Sequence, residues 1–273
     1  MRSKGVIQML TGAYSLVRKT GILEVPMVRR GFVASSFAYK KYYEDPFWGL
    51  AKRMPQIFKS GDVLDIGANI GYTAWVFTEA IAAGSKVYAF EPDGTTYAML
   101  EELIRTKKLA TVVEPLNMAV GSEKGFLELW HNKDHSADHR VATEEFRKAR
   151  PDANEVTRVP VTTVDDFVTE RKLEQISFVK IDVQGYETAV CEGMSRTLEK
   201  FPGLRVCLEF MPDAIAELGF EPSALLKFFE ERGYKFYALT RYALQPVTDE
   251  ASIRKLLGSA GYVDLLFSRD ELR

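Results

Sequence analysis

The stretch that most constrains this chain is Asp65-Ile66-Gly67-Ala68-Asn69-Ile70-Gly71, which follows the apolar run Val63-Leu64-Asp65-Ile66 and opens a helical pattern over 70–83. A second apolar run, Lys86-Val87-Tyr88-Ala89-Phe90, comes next and ends on Glu91. Strand, small-residue turn, helix and strand in that order form a βαβ unit. Such a unit commits the chain to a parallel sheet whose ligands sit at the carboxyl ends of its strands. The alternation continues with a helix over 94–108, strands over 111–116 and Ile176–Ile181, a helix over 187–200 and a strand over Leu204–Phe210. A helix over 222–232 stopped by Gly233, a strand over Lys235–Leu239 and a last apolar run over Tyr262–Phe267 complete it. Continuous Val, Ile, Leu and Phe runs of this kind fit strands covered on both faces.

Between Gly121 and Asp166 the rhythm changes. Phe126-Leu127-Glu128-Leu129-Trp130 and Val156–Val161 alternate like half-buried antiparallel strands around a polar stretch at 131–155. This segment, 121–166, is expected as an insertion at the sheet edge of a domain spanning 61–273. Residues 1–60 stand apart in charge: they carry 11 Lys and Arg against 3 Asp and Glu, leaving 25 against 35 for the rest. A basic segment beside an acidic body docks on that body, touches a membrane surface or draws in an anionic substrate. Within it, 5–23 has loosely helical apolar spacing. Residues 32–48 hold Phe32, Phe37, Tyr39, Tyr42, Tyr43, Phe47 and Trp48, rings that either pack on the domain or form a lid over a substrate, with Tyr42 and Trp48 as acceptor-binding candidates.

The 273 residues, 46% of them hydrophobic, supply enough apolar material for one large domain plus an accessory segment. No apolar run reaches the roughly 18 residues of a membrane span, and 1–25 lack the pattern of a secretory leader, so a soluble cytoplasmic protein is expected. Cys191 and Cys207 fall in a predicted helix and a predicted buried strand, where thiols act as small hydrophobes.

The turn over 65–71 carries the chemistry. Small residues let a ligand approach the backbone, and the helix behind them offers unpaired N–H groups. Glu91 stands where a ribose diol would arrive, since one carboxylate accepts from two hydroxyls. A nicotinamide dinucleotide fits poorly: Asn69 occupies the place of the second glycine that would admit a pyrophosphate, and Asp65 adds negative charge beside it. An acidic rim suits a cationic ligand, and S-adenosylmethionine combines a ribose, a sulfonium and an ammonium group.

Four segments together resemble the class I methyltransferases, and among them the FkbM-type family. They are Gly61-Asp62-Val63-Leu64-Asp65-Ile66-Gly67-Ala68-Asn69-Ile70-Gly71-Tyr72, Phe90-Glu91-Pro92, Asn117-Met118-Ala119-Val120-Gly121 and Phe178-Val179-Lys180-Ile181-Asp182-Val183-Gln184-Gly185-Tyr186-Glu187. The resemblance implies a doubly wound α/β, Rossmann-like sheet, mostly parallel with an antiparallel C-terminal strand, behind an N-terminal helical segment. It implies S-adenosylmethionine as cofactor, and O-methylation of a small molecule, natural product, sugar or glycan, without a required metal. Carried over by position, Asp65, Gly67, Ala68, Asn69, Gly71 and Tyr72 surround the methionine part of the donor, Glu91 the ribose, and Asn117, Met118 and Ala119 the adenine, while Asp182 stands beside the sulfonium. The family usually has Glu where this chain has Gln184, which here becomes an acceptor-binding candidate.

All three histidines, His131, His135 and His139, lie in the edge insertion. Removing an acceptor hydroxyl's proton calls for a base, and His139 in Asp138-His139-Arg140 resembles a stretch at the same place in the family. His139 and Asp182 are therefore the catalytic candidates, with Glu209 as an alternative base, and Arg140 is the candidate to hold an anionic acceptor. Spacing of four would put the histidines on one helix face able to take a divalent metal, yet the polar run reads equally as a solvated loop, and no metal is assigned. A small-molecule or carbohydrate partner is expected rather than nucleic acid, with a homo-oligomer left open. The rival readings are a methyltransferase of protein or nucleic acid, and an inert S-adenosylmethionine-binding protein.

Overall fold

The computed structural model describes residues 45–132, 139–257 and 261–272, together with Gly31, Ser35, Phe37 and Lys41. Tyr42, His135 and the amphipathic stretch over 5–23 lie outside the described residues. The first described helix, α1 (Pro46–Arg53), starts where Asp45 accepts the Trp48 N–H at 2.9 Å, with proline at the first turn. A short 3-10 turn over Pro55–Phe58 follows and leads into β1 (Asp62–Ile66).

From there the elements are α2 (Tyr72–Thr78), β2 (Val87–Phe90), α3 (Gly94–Thr106), β3 (Val113–Leu116), β4 (Ala119–Val120), β5 (Gly125–Trp130), β6 (Arg140–Val141), α4 (Glu144–Ala149) and β7 (Val156–Thr162). After them come α5 (Val164–Glu170), β8 (Ile176–Ile181), α6 (Glu187–Glu192), α7 (Ser195–Lys200), β9 (Arg205–Phe210), α8 (Pro212–Glu217), α9 (Pro222–Glu230), β10 (Lys235–Leu239), β11 (Leu244–Val247), α10 (Glu250–Leu256) and β12 (Val263–Ser268).

The main sheet has eight strands in the order β11-β10-β12-β9-β8-β1-β2-β3. β3, β2, β1, β8 and β9 run parallel, and β12 lies antiparallel between β9 and β10. This is the doubly wound sheet with a reversed C-terminal strand. The order turns around between β1 and β8, the switch point where ligands bind.

The unbroken apolar runs have a simple cause. Leu64, Ile66, Val179, Ile181, Val206 and Leu208 face one core with α5, α6, α7, α9 and α10, while Val63, Phe178 and Cys207 between them face the other, with α1, α2 and α3. Successive strand residues point to opposite faces, so both parities are apolar. Among the described residues, 47–58 are part of the second core: Phe58 packs on Phe77 and Phe178, at 5.5 and 4.7 Å between centroids. Among the described residues, this core runs on across residue 60.

Several elements differ from the expected bounds. The helix foreseen over 187–200 breaks at Gly193, where a Cβ would stand 2.1 Å from the Gly121 carbonyl oxygen. α2 begins only at Tyr72, because Gly71 caps it at φ 88°, in the left-handed region that glycine reaches without strain. α4, α5, α8, α10 and β11 went unread, being four to seven residues long and too short to show a period. Residues 119–162 supply a second sheet, β4-β7-β5-β6, in which β5 pairs antiparallel with β6 and β7. Its chain leaves the main sheet at the β3 edge.

Phe178 is fully buried between Phe58 and Phe77. Phe178→Ala should lower unfolding free energy by about 3–5 kcal/mol in urea titration. Phe126→Ala, at a ring 62% exposed under the Arg158 guanidinium, should stay within about 0.5 kcal/mol of the unaltered chain.

Candidate active site

The turn after β1 is held from three sides. Gly67 and Ala68 both donate their N–H groups to the Phe90 carbonyl, at 3.0 and 2.9 Å, so the turn folds over the end of β2. Gly67 has φ 76°, and a Cβ there would lie 1.8 Å from the Asp182 carbonyl oxygen at the end of β8. Only glycine lets the two strand ends approach this closely. Asn69 takes φ 50°, a region asparagine tolerates, and its side chain accepts the Ile70 N–H at 2.7 Å.

Beneath the turn lies a buried ion pair. Lys180, 4% exposed on β8, donates to the Gly67 carbonyl at 2.7 Å and pairs with Asp65 at 3.3 Å and Asp182 at 3.5 Å. Burial by itself would lower the Lys180 pKa, but the carboxylates of Asp65 and Asp182 outweigh it and hold the ammonium charged. Asp65, fully buried, also accepts from the Thr73 hydroxyl at 2.6 Å. It is therefore a support of the turn and not a wall of the cleft, which corrects its expected contact with the donor. Lys180 escaped the sequence reading; a lone lysine inside a buried six-residue strand was the available signal.

The cleft is narrow, with a cavity volume of about 80 Å³, and it opens to solvent. Gly67, Asn69, Glu91, Met118, Ala119, Asp182, Gln184 and His139 line it, as do Leu129 and Val141 of the second sheet, so it runs between the two sheets. Ala68, Gly71, Tyr72, Asn117, Arg140 and Trp48 do not line it. Ala68 and Tyr72 are buried behind the turn, and Gly71 packs where a Cβ would meet Leu100 at 2.5 Å. Asn117 donates to the Glu91 and Pro92 carbonyls at 2.9 and 3.1 Å, which shapes the Glu91 loop. Arg140 pairs with Glu217 of α8 at 2.6 Å, and Trp48 lies tilted against Trp75 beneath Lys41.

Two further groups set the electrostatics. Glu91 accepts the Asn69 and Asp93 N–H groups, one on each oxygen at 2.9 Å, while burial pushes its pKa up to about 7. Gln184, at φ 55°, donates through Nε2 to Asp182 at 2.8 Å and to Glu209 of β9 at 3.3 Å. Burial first, then the charges of Asp182 and Asp264, push Glu209 up to about 9. His139 accepts the Asn132 N–H on Nδ1 at 3.1 Å. A neutral ring so held carries its proton on Nε2, and a base role for Nδ1 requires that this hydrogen bond be exchanged for one from the acceptor.

A family model described as the methyltransferase FkbM domain matches residues 65–236, from the end of β1 to the start of β10. The chain belongs to the FkbM methyltransferase family. The chain is 28% identical over 140 residues to the hexuronic acid methyltransferase AglP of Haloferax volcanii, half of this chain and 52% of that protein. It thus spans about half the length of the curated relative it matches. Among solved structures, methyltransferase FkbM from Methylobacillus flagellatus has a TM-score of 0.46 at 14% identity, covering 77% of this chain and 43% of that one. An O-methyltransferase from Bacillus cereus in complex with SAH also has 0.46 at 14%, covering 81% and 78%.

S-adenosylmethionine is the methyl donor that membership of the FkbM methyltransferase family implies, and the residues lining the cleft suit it. Gly67 leaves the backbone bare where a Cβ would fill the cradle. Each Glu91 oxygen keeps acceptor capacity for a ribose hydroxyl beside its N–H bond. Asp65 and Asp182 share one ammonium, so the cleft keeps a net negative charge at Asp182, which suits a sulfonium.

Gly67→Ala should abolish donor binding in calorimetry while leaving a folded chain by circular dichroism, since the methyl group must displace the Asp182 backbone. Ribose hydroxyls donate to ionised Glu91, so protonation competes with the donor. The donor's Kd should rise about tenfold per unit as pH falls below about 7, and Glu91→Gln should bind weakly with that dependence gone.

Proposed function

We propose that the protein transfers the methyl group of S-adenosylmethionine to a hydroxyl oxygen of a carbohydrate, with Glu209, part-exposed beyond Gln184 at the edge of the cleft, receiving the proton. The observation that carries this reading is the Asp182–Gln184–Glu209 bridge, a row of hydrogen-bonding groups beside the turn. Side-chain carboxylates and an amide match the closely spaced hydroxyls of a sugar, each of which both donates and accepts. The similarity to a hexuronic acid methyltransferase supports the same substrate class. An acceptor carboxylate, if present, has to point away from Asp182 and Glu209, because like charges at this distance repel.

When bound, the donor supplies an electrophilic methyl carbon on a positive sulfur. The acceptor oxygen forms the new bond to that carbon as the carbon–sulfur bond breaks onto sulfur, and the hydroxyl proton leaves. Gln184 contributes by holding Asp182 and Glu209 apart with one N–H each. A glutamate at this position would face both with a third carboxylate. Asp182, paired with Lys180, contributes negative charge toward the sulfonium. Glu209, with its raised pKa, is a stronger base than an ordinary carboxylate once ionised, which suits a weakly acidic hydroxyl. Much of the acceleration comes from alignment of donor and acceptor in one cleft.

With uronic and neutral sugars as acceptors, kcat/KM at saturating donor should rise with pH and level off below about 9, because the sulfonium draws the Glu209 pKa down. Glu209→Gln should lose that rising limb and about a hundredfold in turnover with donor affinity retained. Donor binding with no turnover on any hydroxylated acceptor would overturn the reading, and survival of the limb in Glu209→Gln would overturn the base.

A further inference from the structure

His131 and His139 meet in a way their spacing does not suggest. They lie on no shared helix. β5 and β6 pair with Trp130 opposite Arg140, so the next step outward sets residue 131 across from residue 139 at the mouth of a hairpin. The two rings stand 5.0 Å apart at 71°. Asp93, 6% exposed at the start of α3, turns Oδ2 toward His131 Nδ1 at 3.4 Å. One ligand atom from each of Asp93, His131 and His139 falls within 4.8 Å of the other two.

The separation of 3.4 Å is informative. It is long for an N–H···O hydrogen bond, which prefers about 2.7–3.2 Å. It equals the edge of a tetrahedron with metal–ligand bonds of about 2.0–2.1 Å, the values for zinc with imidazole and carboxylate. The other nitrogen of His131 lies 2.8 Å from the Thr157 hydroxyl. In the tautomer with Nε2–H donating to Thr157, the Nδ1 lone pair points at a carboxylate oxygen, an arrangement that a cation between the two satisfies. A metal-bound histidine engaging its second nitrogen in such an outer hydrogen bond is the usual pattern. Asp93 is also held in place, since Oδ1 accepts the N–H and hydroxyl of Thr96 at 2.7 and 2.8 Å and leaves Oδ2 for the site.

We propose that Asp93, His131 and His139 form a binding site for one divalent cation of the zinc type, with a fourth position open to water. Ligation replaces the 3.1 Å hydrogen bond from Asn132 to His139 and draws the His139 edge inward to bonding distance. The cation ties both ends of the segment between the histidines to the start of α3. That start is joined to the donor site, because the Asp93 N–H is held by Glu91 Oε1 at 2.9 Å. Occupancy therefore stiffens the loop that carries the ribose-binding carboxylate, and the metal acts as a staple at the rim of the cleft.

The test uses the full chain freed of metal by chelator and titrated with Zn2+ by calorimetry, then with Co2+ followed by visible absorption. One ion per chain is expected, with the d–d bands of a four-coordinate cobalt site carrying nitrogen ligands. His131→Gln and His139→Gln should each weaken binding at least tenfold and remove those bands, and Asp93→Asn should do the same if circular dichroism shows α3 intact. The donor's Kd should fall when Zn2+ is present and should not respond to Zn2+ in His131→Gln. No stoichiometric binding by the unaltered chain, or binding unchanged in both histidine variants, would overturn the site.

Discussion

The structure depends on one buried contact: the Lys180 ammonium beneath the turn that follows β1. It holds the Gly67 carbonyl, Asp65 and Asp182 together, so the carboxyl ends of β1 and β8 are locked at the point where the strand order reverses. A buried charge pair of this kind adds little net stability, but removing one partner strands the other in a medium of low polarity at a cost of about 3–5 kcal/mol. The pair acts on geometry: it fixes the distance between Gly67 and Asp182, and that distance decides that residue 67 has no side chain. The bare backbone that receives the donor is a consequence of the lysine below it.

The carboxylates above the lysine divide by environment. Glu91 stays an acceptor because two backbone N–H groups favour its ionised form against burial, leaving it near 7. Glu209 has no such N–H groups and sits among Asp182 and Asp264, so it rises further, to about 9. Similar side chains on β9 and at the end of β2, with β8 and β1 between them, thus sit in different environments, which under the proposed function suits one to hold hydroxyls and the other to exchange a proton. Gln184 belongs to this division, because its amide donates to Asp182 and Glu209 where a carboxylate would only add repulsion.

The second sheet closes the cleft from the opposite side. It brings Leu129, Val141 and His139 against the turn, and it places His131 and His139 at a hairpin mouth beside Asp93. The pairing of β5 with β6 accomplishes this, so the histidine cluster is a product of strand register. Arg140, next to it, is turned toward Glu217 instead, which takes away the anion-binding role its neighbourhood suggested.

By itself the sequence determined the sheet, the glycine turn and the acidic residue closing β2, because each rests on local rules: two-sided apolar runs, a backbone position open only to glycine, and a carboxylate at a strand end; the reversed final strand followed only from the family resemblance. Asp182 and Gln184 were set apart by the family resemblance, and both line the cleft after the strand that the apolar run over 176–181 had located. Only the tertiary structure decided which members of those motifs touch the cleft. Asp65 and Asn117 carry the right side chains, yet burial beneath the turn and bonds to the Glu91 loop make them supports. The engagement of His139 by the Asn132 N–H, the meeting of His131 with Asp93, and the raised pKa of Glu209 all arise between residues distant in sequence. Their cause is the register of strands and the exclusion of water, neither of which a local pattern encodes.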